Sequence, residues 1–291
     1  GRDPHALVQI LREAQALHGW LPRDMQAAIA DALGVTLAHV EGVASFYRFF
    51  HDRPVGSYRV LFSDNVTDRM LGNEALLLDL CRRLGVQRGE VRADGRVSID
   101  FASCTGLCDQ GPALLVDHRH VVTRLDAARV AQIAALIESR VPVDEWPADW
   151  FAIVDNVQRA DVLLGTPLQP GAAIAAALER GAEAMLDEVK RSNLRGRGGA
   201  GFATGQKWGL CRSAPGTEHY VVCNADEGEP GTFKDRVLLT RHADLVFEGM
   251  TIAAAVVGAR QGLVYLRGEY RTLLEPLQAV LQRRREAGLL G

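Results

Sequence analysis

Apolar residues recur at helical spacing from the start of the chain. Leu7, Leu11, Ala14 and Leu17 lie three or four apart, behind an Asp3-Pro4 pair that suits an N-cap followed by Pro at the first helical position. Gly19 ends this helix, Pro22 opens a second that stops at Gly34, and Thr36 caps a third running to about Phe50. The aromatic end of the third, SFYRFF at 45–50, reads as an apolar face packed into a core. From Ser57 the period changes. YRVLF predicts a strand, Asn73 caps an amphipathic helix that ends at Leu84, and Gly85 is its left-handed stop. VSIDF, ALLVD and HVVTRL predict three short strands, and Asp126 caps a closing helix. The order β-α-β-β-β-α describes a small sandwich of helices on a sheet. Pro142, Trp146, Pro147, Trp150, Pro167 and Pro170 then punctuate a weakly periodic stretch, 142–170, which reads as a linker. Beyond it come helices at 171–180 and 182–192, a Gly-rich loop, a strand HYVVCNA, an acidic loop, a helix at 244–259, a strand GLVYLR and a helix at 269–286. Strands alternating with helices predict a parallel, doubly wound α/β sheet.

The pattern therefore divides the chain into a helical prefix at 1–55, a sandwich at 56–141, the linker, and an α/β region at 171–291. Its 291 residues agree with two domains. With 33 basic and 36 acidic residues the formal charge is −3, which argues against nucleic acid as a partner. The most apolar stretch, 250–259, is too short to span a bilayer, and the charged N-terminus lacks a signal-peptide core. A cytoplasmic protein is expected. Five scattered cysteines do not make a disulfide scaffold. Five of the 29 glycines fall within 195–205, and that cluster is the strongest chemical signal.

The cluster lies in RGRGGAGFATGQKW, 195–208. Gly196, Gly198, Gly199, Gly201 and Gly205 let the backbone take positive φ and let a ligand approach main-chain N–H groups. Arg195, Arg197 and Lys207 add positive charge, which suits a phosphate. A G-x-G-x-x-G match is present, but it follows a helix rather than a strand, so the dinucleotide fingerprint lacks its context. The second segment, CNADEGEPGTFKDR at 223–236, ends a strand, where open α/β sheets bind ligands. Asp226, Glu227, Glu229 and Asp235 supply four acids, and Asn224 can donate and accept. The third is SCTGLCDQGPALLVD, with Cys104-x3-Cys108. Two thiolates cannot complete an ordinary [2Fe–2S] centre.

The first two segments resemble GRGGAGFxTGxKW and CNADExEPGTFKDR of the flavin- and NADH-binding subunit of respiratory complex I and its relatives. The resemblance implies that Gly196, Arg197, Gly198, Gly199 and Lys207 contact FMN phosphate and ribityl groups. It also implies that Asn224, Asp226 and Glu227 contact the flavin, while Phe202 and Glu229 face NAD(H). Glu229 is the residue it places nearest the chemistry. The family often has an aromatic where Leu210 stands. The sandwich, with GVxSFY at 42–47, resembles the small thioredoxin-like ferredoxin subunit. That family carries an earlier C-x4-C pair, and here Ser63 and Asp68 hold those positions. Hard oxygen ligands replace soft thiolates poorly, so Cys104 and Cys108 are only two of four ligands, and a [2Fe–2S] cluster in 56–141 is not expected. Ligation by Ser63 or Asp68, or a different metal, is the alternative.

The expected fold is thus α/β: a helical prefix plus a thioredoxin-like ferredoxin domain, then an incomplete Rossmann-like FMN/NADH-binding domain. Fusion with lost cysteines resembles the diaphorase large subunit of soluble NAD-reducing [NiFe] hydrogenases. That resemblance implies hydride exchange between NAD(H) and FMN, and a [4Fe–4S] cluster in a C-terminal part beyond Gly291. It implies an iron–sulfur diaphorase small subunit and [NiFe] hydrogenase subunits as partners. The flavoprotein subunit of an NAD-linked formate dehydrogenase or of complex I is the alternative, and a non-catalytic scaffold is the alternative of another class.

Overall fold

The computed structural model describes residues 3–167 and 169–290. The chain separates into two compact units, 1–154 with Glu229–Gly231, and 155–228 with 232–291.

The first unit begins with α1 (Leu7–His18), α2 (Arg23–Leu33) and α3 (Leu37–Phe46). Asp3 caps a short 3-10 turn ahead of α1, and Gly19 and Gly34 end α1 and α2 at φ 86° and 68°. Thr36 accepts the His39 N–H at 3.2 Å, as its capping role requires. Leu7, Leu11, Leu21, Val40 and Phe50 form the prefix core. α3 stops at Phe46, four residues short of the expected end, because Tyr47 turns to extended backbone. That break sends Phe50 inward and leaves Phe46 80% exposed, so SFYRFF is not one buried helix face.

The sandwich follows as β1 (Tyr58–Ser63), α4 (Val66–Met70), α5 (Asn73–Leu84), β2 (Val97–Ala102), β3 (Leu114–Val116), β4 (His120–Val122) and α6 (Ala127–Glu138). The sheet order is β2-β1-β3-β4, with β1 parallel to β2 and the other pairs antiparallel. α5 and α6 pack together, and Leu77, Leu80, Ile133 and Ile137 join Val60, Phe62 and Ile99 in the core. Asn73 is not a cap: the cap position is Gly72, and the buried Asn73 amide donates to the Ser63 carbonyl instead. Trp146 and Trp150, inside the stretch read as linker, sit on short 3-10 turns and are 3% and 4% exposed in this same core. Trp150 O accepts from the Thr123 N–H at 3.0 Å, which ties the segment to the end of β4.

The second unit contains α7 (Asp161–Gly165), α8 (Ala172–Arg191), α9 (Thr204–Ser213), β5 (Tyr220–Ala225), α10 (Lys234–Arg241), α11 (Ala243–Val257), β6 (Gln261–Leu266) and α12 (Leu274–Glu286). α8 runs through both expected helices, with a kink at Gly181 (φ 79°, ψ 162°). Glu248 on α11 holds its start, accepting N–H bonds from Gly171 (2.7 Å), Ala173 (2.9 Å) and Ile174 (3.3 Å). β5 and β6 are parallel, pairing Tyr220 with Gln261 through Ala225 with Leu266. Phe247, Leu273 and Leu277 cover one face together with Ala225. The other face shows Tyr220, Val222, Leu263 and Tyr265, between 49% and 62% exposed. No helix among the described residues is long and apolar enough to cross a membrane.

Candidate cofactor site and the cysteine pocket

Residues 193–203 turn back on themselves and deliver the chain to α9. Arg195 and Ala203 form an antiparallel bridge, Gly196 N–H donates to Phe202 O (2.9 Å), and Thr204 N–H donates to Leu194 O (2.8 Å). Gly199 and Gly201 have φ of 128° and 62°, which side-chain-bearing residues rarely adopt. Added Cβ atoms at Gly198, Gly199 and Gly201 would meet nothing within 4 Å, so the loop faces open space. Gly205 has a different task. A Cβ there would stand 2.7 Å from Lys190 N, so this glycine lets α9 lie against α8. Arg197 and Lys207 are exposed, and the Arg195 guanidinium donates to Gly201 O at 3.1 Å. Open loop amides, the start of a ten-residue helix and three cations suit a phosphate group. These residues fit the phosphate end of a flavin mononucleotide. Phe202, 44% exposed, stands on the same loop.

The second segment leaves β5 at the carboxyl edge. Asn224 is exposed on the open face of the sheet, in register with Tyr265. Its Oδ1 accepts the Asp226 N–H at 3.1 Å, and Asp226 is exposed. Glu227 behaves otherwise. It is 2% exposed and accepts N–H bonds from Asp235 (2.9 Å) and Arg236 (3.3 Å) at the start of α10, and the Tyr270 hydroxyl at 2.9 Å. It therefore caps α10 from a distance and lies behind the surface. The Arg267 guanidinium donates to Glu227 O and pairs with Glu269 at 3.0 Å. Burial and the Glu227 carboxyl push the Tyr270 phenol well up, which keeps it a donor. Burial pulls Lys234 down, but Asp235 and Glu227 outweigh it and raise the ammonium. Sequence reasoning misses Arg267 and Tyr270. Parallel strands bring the residues after Leu266 beside those after Ala225, so the pairing of HYVVCNA with GLVYLR is the signal that could find them. α11 packs against both α9 and β5. Glu229 is exposed and, with the rest of Glu229–Gly231, groups with the first unit.

In the first unit, the four positions read as ligand places converge. Cys104 and Cys108 have sulfurs 3.3 Å apart, and Ser63 and Asp68 are fully buried beside them. Asn65 fills the middle. Its amide donates to Ser63 Oγ (2.9 Å), to Asp68 and to Cys104 Sγ (3.6 Å), and its Oδ1 caps α4 at Asp68 N–H (3.0 Å). Burial pushes Asp68 up, against hydrogen bonds from Ser63, Asn65 and the Ala113 N–H. The Cys108 thiol is lowered to about 6, first by its hydrogen bond with Cys104. Among the described residues no group of three or more His, Cys, Asp or Glu could hold a metal ion. Two thiols beside two oxygen donors already tied to Asn65 do not fit a four-thiolate cluster. Cys81 is buried on α5, where burial raises its thiol, and Cys223 is raised likewise on β5. Cys211 is half-buried on α9.

The open glycine loop at the start of α9 suits a phosphate group, and the unit that carries it follows the sandwich of the first unit along the chain. Family comparison agrees: residues 1–138 match the thioredoxin-like [2Fe-2S] ferredoxin family and residues 189–289 the Nuo51 FMN-binding domain. The chain thus carries a match to each of these families, in that order, each over less than half of its length. It is 40% identical, over 99% of its length, to NAD-reducing hydrogenase HoxS subunit alpha of Cupriavidus necator, half of which it covers. It is 48% identical over 37% of its length to an NADH-quinone oxidoreductase chain of Rhizobium meliloti, covering 25% of that protein. Among solved structures, air-oxidized NAD+-reducing [NiFe]-hydrogenase matches with a TM-score of 0.85 and 38% identity, over 99% of this chain and 50% of that one. The resemblance read from the motifs, to the hydrogenase diaphorase subunit and to the complex I flavoprotein, holds.

Proposed function

We propose that the chain is the FMN- and NAD(H)-binding part of a cytoplasmic NADH:acceptor oxidoreductase, a diaphorase whose electrons pass to iron–sulfur clusters and whose partner is an H2-activating [NiFe] hydrogenase. The observation that supports it most is the open glycine loop, closed onto the start of α9 and flanked by Arg197 and Lys207. When bound, FMN supplies the hydride acceptor and the step from two-electron to one-electron transfer. The chain's own residues bind and orient. Gly196 closes the loop onto Phe202 O, Gly198 and Gly199 open main-chain donors to the phosphate, Arg197 and Lys207 balance its charge, and Asn224 and Asp226 present polar atoms from the strand end. Glu227 fixes the start of α10 and so holds the loop that carries those atoms.

Phe202 would face NAD(H), and Glu229 would set its affinity, since a negative charge near the nicotinamide disfavours the anionic dinucleotide. A Glu229→Gln variant then binds NADH more tightly, and unchanged affinity refutes that role. A hydrogenase assignment is favoured over complex I by coverage. The hydrogenase relative aligns through both units, whereas the quinone-linked relative aligns over 37% of the chain. The test is flavin content and NADH oxidation with an artificial acceptor in the purified complex. Wild type should hold FMN and turn over, and Arg197→Ala with Lys207→Ala should lose flavin at least tenfold more readily. A complex with neither flavin nor activity refutes the reading.

A further inference from the structure

The pocket that does not fit a four-thiolate cluster still holds two thiols in contact. Cys104 and Cys108 lie in the loop after β2, in a run at 104–108 that is buried throughout. Gly106 stands midway with φ of 76°, which turns the loop and brings Cys108 back to Cys104. Its N–H donates to Cys104 Sγ at 3.3 Å, and Leu107 O accepts the Gln110 N–H at 2.8 Å, so the loop is held along its length. Asn65 also donates to Cys104 Sγ, at 3.6 Å, while its other bonds go to Ser63 and Asp68. The two sulfurs are 3.3 Å apart, with one thiol donating to the other. A disulfide needs about 2.0 Å, a closure of about 1.3 Å that rotation of two side chains can share.

We propose that Cys104 and Cys108 form a dithiol that a hydroperoxide oxidises to a disulfide, the chemistry left to a pocket in which Ser63 and Asp68 hold the other two ligand places. The proposal stands on the first unit alone and does not depend on flavin. One sulfur attacks a peroxide oxygen, the O–O bond breaks, and water leaves to give a sulfenic acid. The second sulfur attacks the first, the S–O bond breaks, and a second water leaves. Each thiol proton goes to the departing oxygen. The dithiol gives up two electrons, and hydrogen peroxide is reduced to two waters. Contact between the sulfurs makes the second step intramolecular, so it outruns further oxidation of the sulfenic acid. Cys104 and Cys108 are 3% and 6% exposed, which restricts the oxidant to a small one such as hydrogen peroxide.

The test adds hydrogen peroxide to the purified chain, stops the reaction with acid, and alkylates the remaining thiols in denaturant. Mass spectrometry then follows the tryptic peptide 97–119, which holds both cysteines of the pair and no other. That peptide is expected to escape alkylation and to be lighter than its dithiol form by two hydrogen atoms. Cys81, equally 6% exposed, is the matched control, and its thiol should be lost at least tenfold more slowly. A pair that keeps both thiols, gains oxygen instead of losing hydrogen, or reacts no faster than Cys81 overturns the proposal. Stoichiometric iron and inorganic sulfide in the purified chain also overturn it, because the two thiols are then cluster ligands. Every arm reads the unaltered chain, whose fold no substitution disturbs.

Discussion

The two places where this chain gathers chemically active side chains are built on opposite plans. Around Cys104 and Cys108, Ser63, Asn65 and Asp68 are at most 4% exposed and bond to one another. Around the glycine loop, residues 191–200 are all exposed and three glycines face open space. A buried polar group has to find partners inside the protein, because leaving it unbonded costs about 1–3 kcal/mol. A ligand site instead leaves donors turned outward. The pocket is thus closed by its own hydrogen bonds, whereas the loop leaves its backbone open to approach.

The sharpest way to break this contrast is Gly205, which is part of the glycine cluster yet packs like core. Gly205→Val should destabilise the second unit by about 2–3 kcal/mol, since α9 must move off Lys190, and the first unit should melt unchanged in calorimetry. In the sealed pocket, Asn65→Ala removes the donor shared by Ser63, Asp68 and Cys104. A loss of about 2 kcal/mol is expected in denaturant unfolding of the first unit, and a neutral result would mean the pocket is not a working network. Tyr270→Phe tests the buried support of the strand end, with an expected cost of about 1.5 kcal/mol in the second unit.

Glu248 gives the pH dependence. Burial raises its pKa, but the Gly171, Ala173 and Ile174 N–H groups, with Arg284, outweigh that and lower it. A carboxyl depressed in the folded state adds stability that is complete above its ordinary range near pH 4.3 and is lost as pH falls through the depressed value. Melts of the second unit should show that acid loss, and Glu248→Gln should flatten it. The smallest effect belongs to the open loop: Arg197→Ala should leave both melting transitions within about 0.5 kcal/mol while weakening flavin binding.

Much of this is legible in the sequence because local rules suffice. Asp3, Thr36 and Asp126 cap helices by their own sequence signals, and each does so in the structure. Where the cause is not local, sequence is a poor guide. α9 holds Gly205 and Gly209, poor helix formers, and owes its existence to packing on α8. α10 hides behind an acidic, Pro- and Gly-containing run, and its cap is Glu227, which no spacing rule assigns. For the same reason the motif makes Glu227 a flavin contact, although its oxygens face inward. Tyr265 and Tyr270 gain meaning only from the strand register. The pocket around Ser63 and Asp68 is legible as a set of positions, but Asn65 as its centre is not.

Gly181 has a mechanical consequence. Ahead of it, α8 is pinned by Glu248, and after it, α8 is pressed against α9 at Lys190 and Gly205. One helix is thereby divided into a fixed strut and an arm that leads into the glycine loop. The arm runs about ten residues at about 1.5 Å each, so a turn of about five degrees at the joint shifts the loop by about 1 Å. The packing of α8 on α9 and α11 restrains that turn, so the joint and this packing together fix where the loop stands.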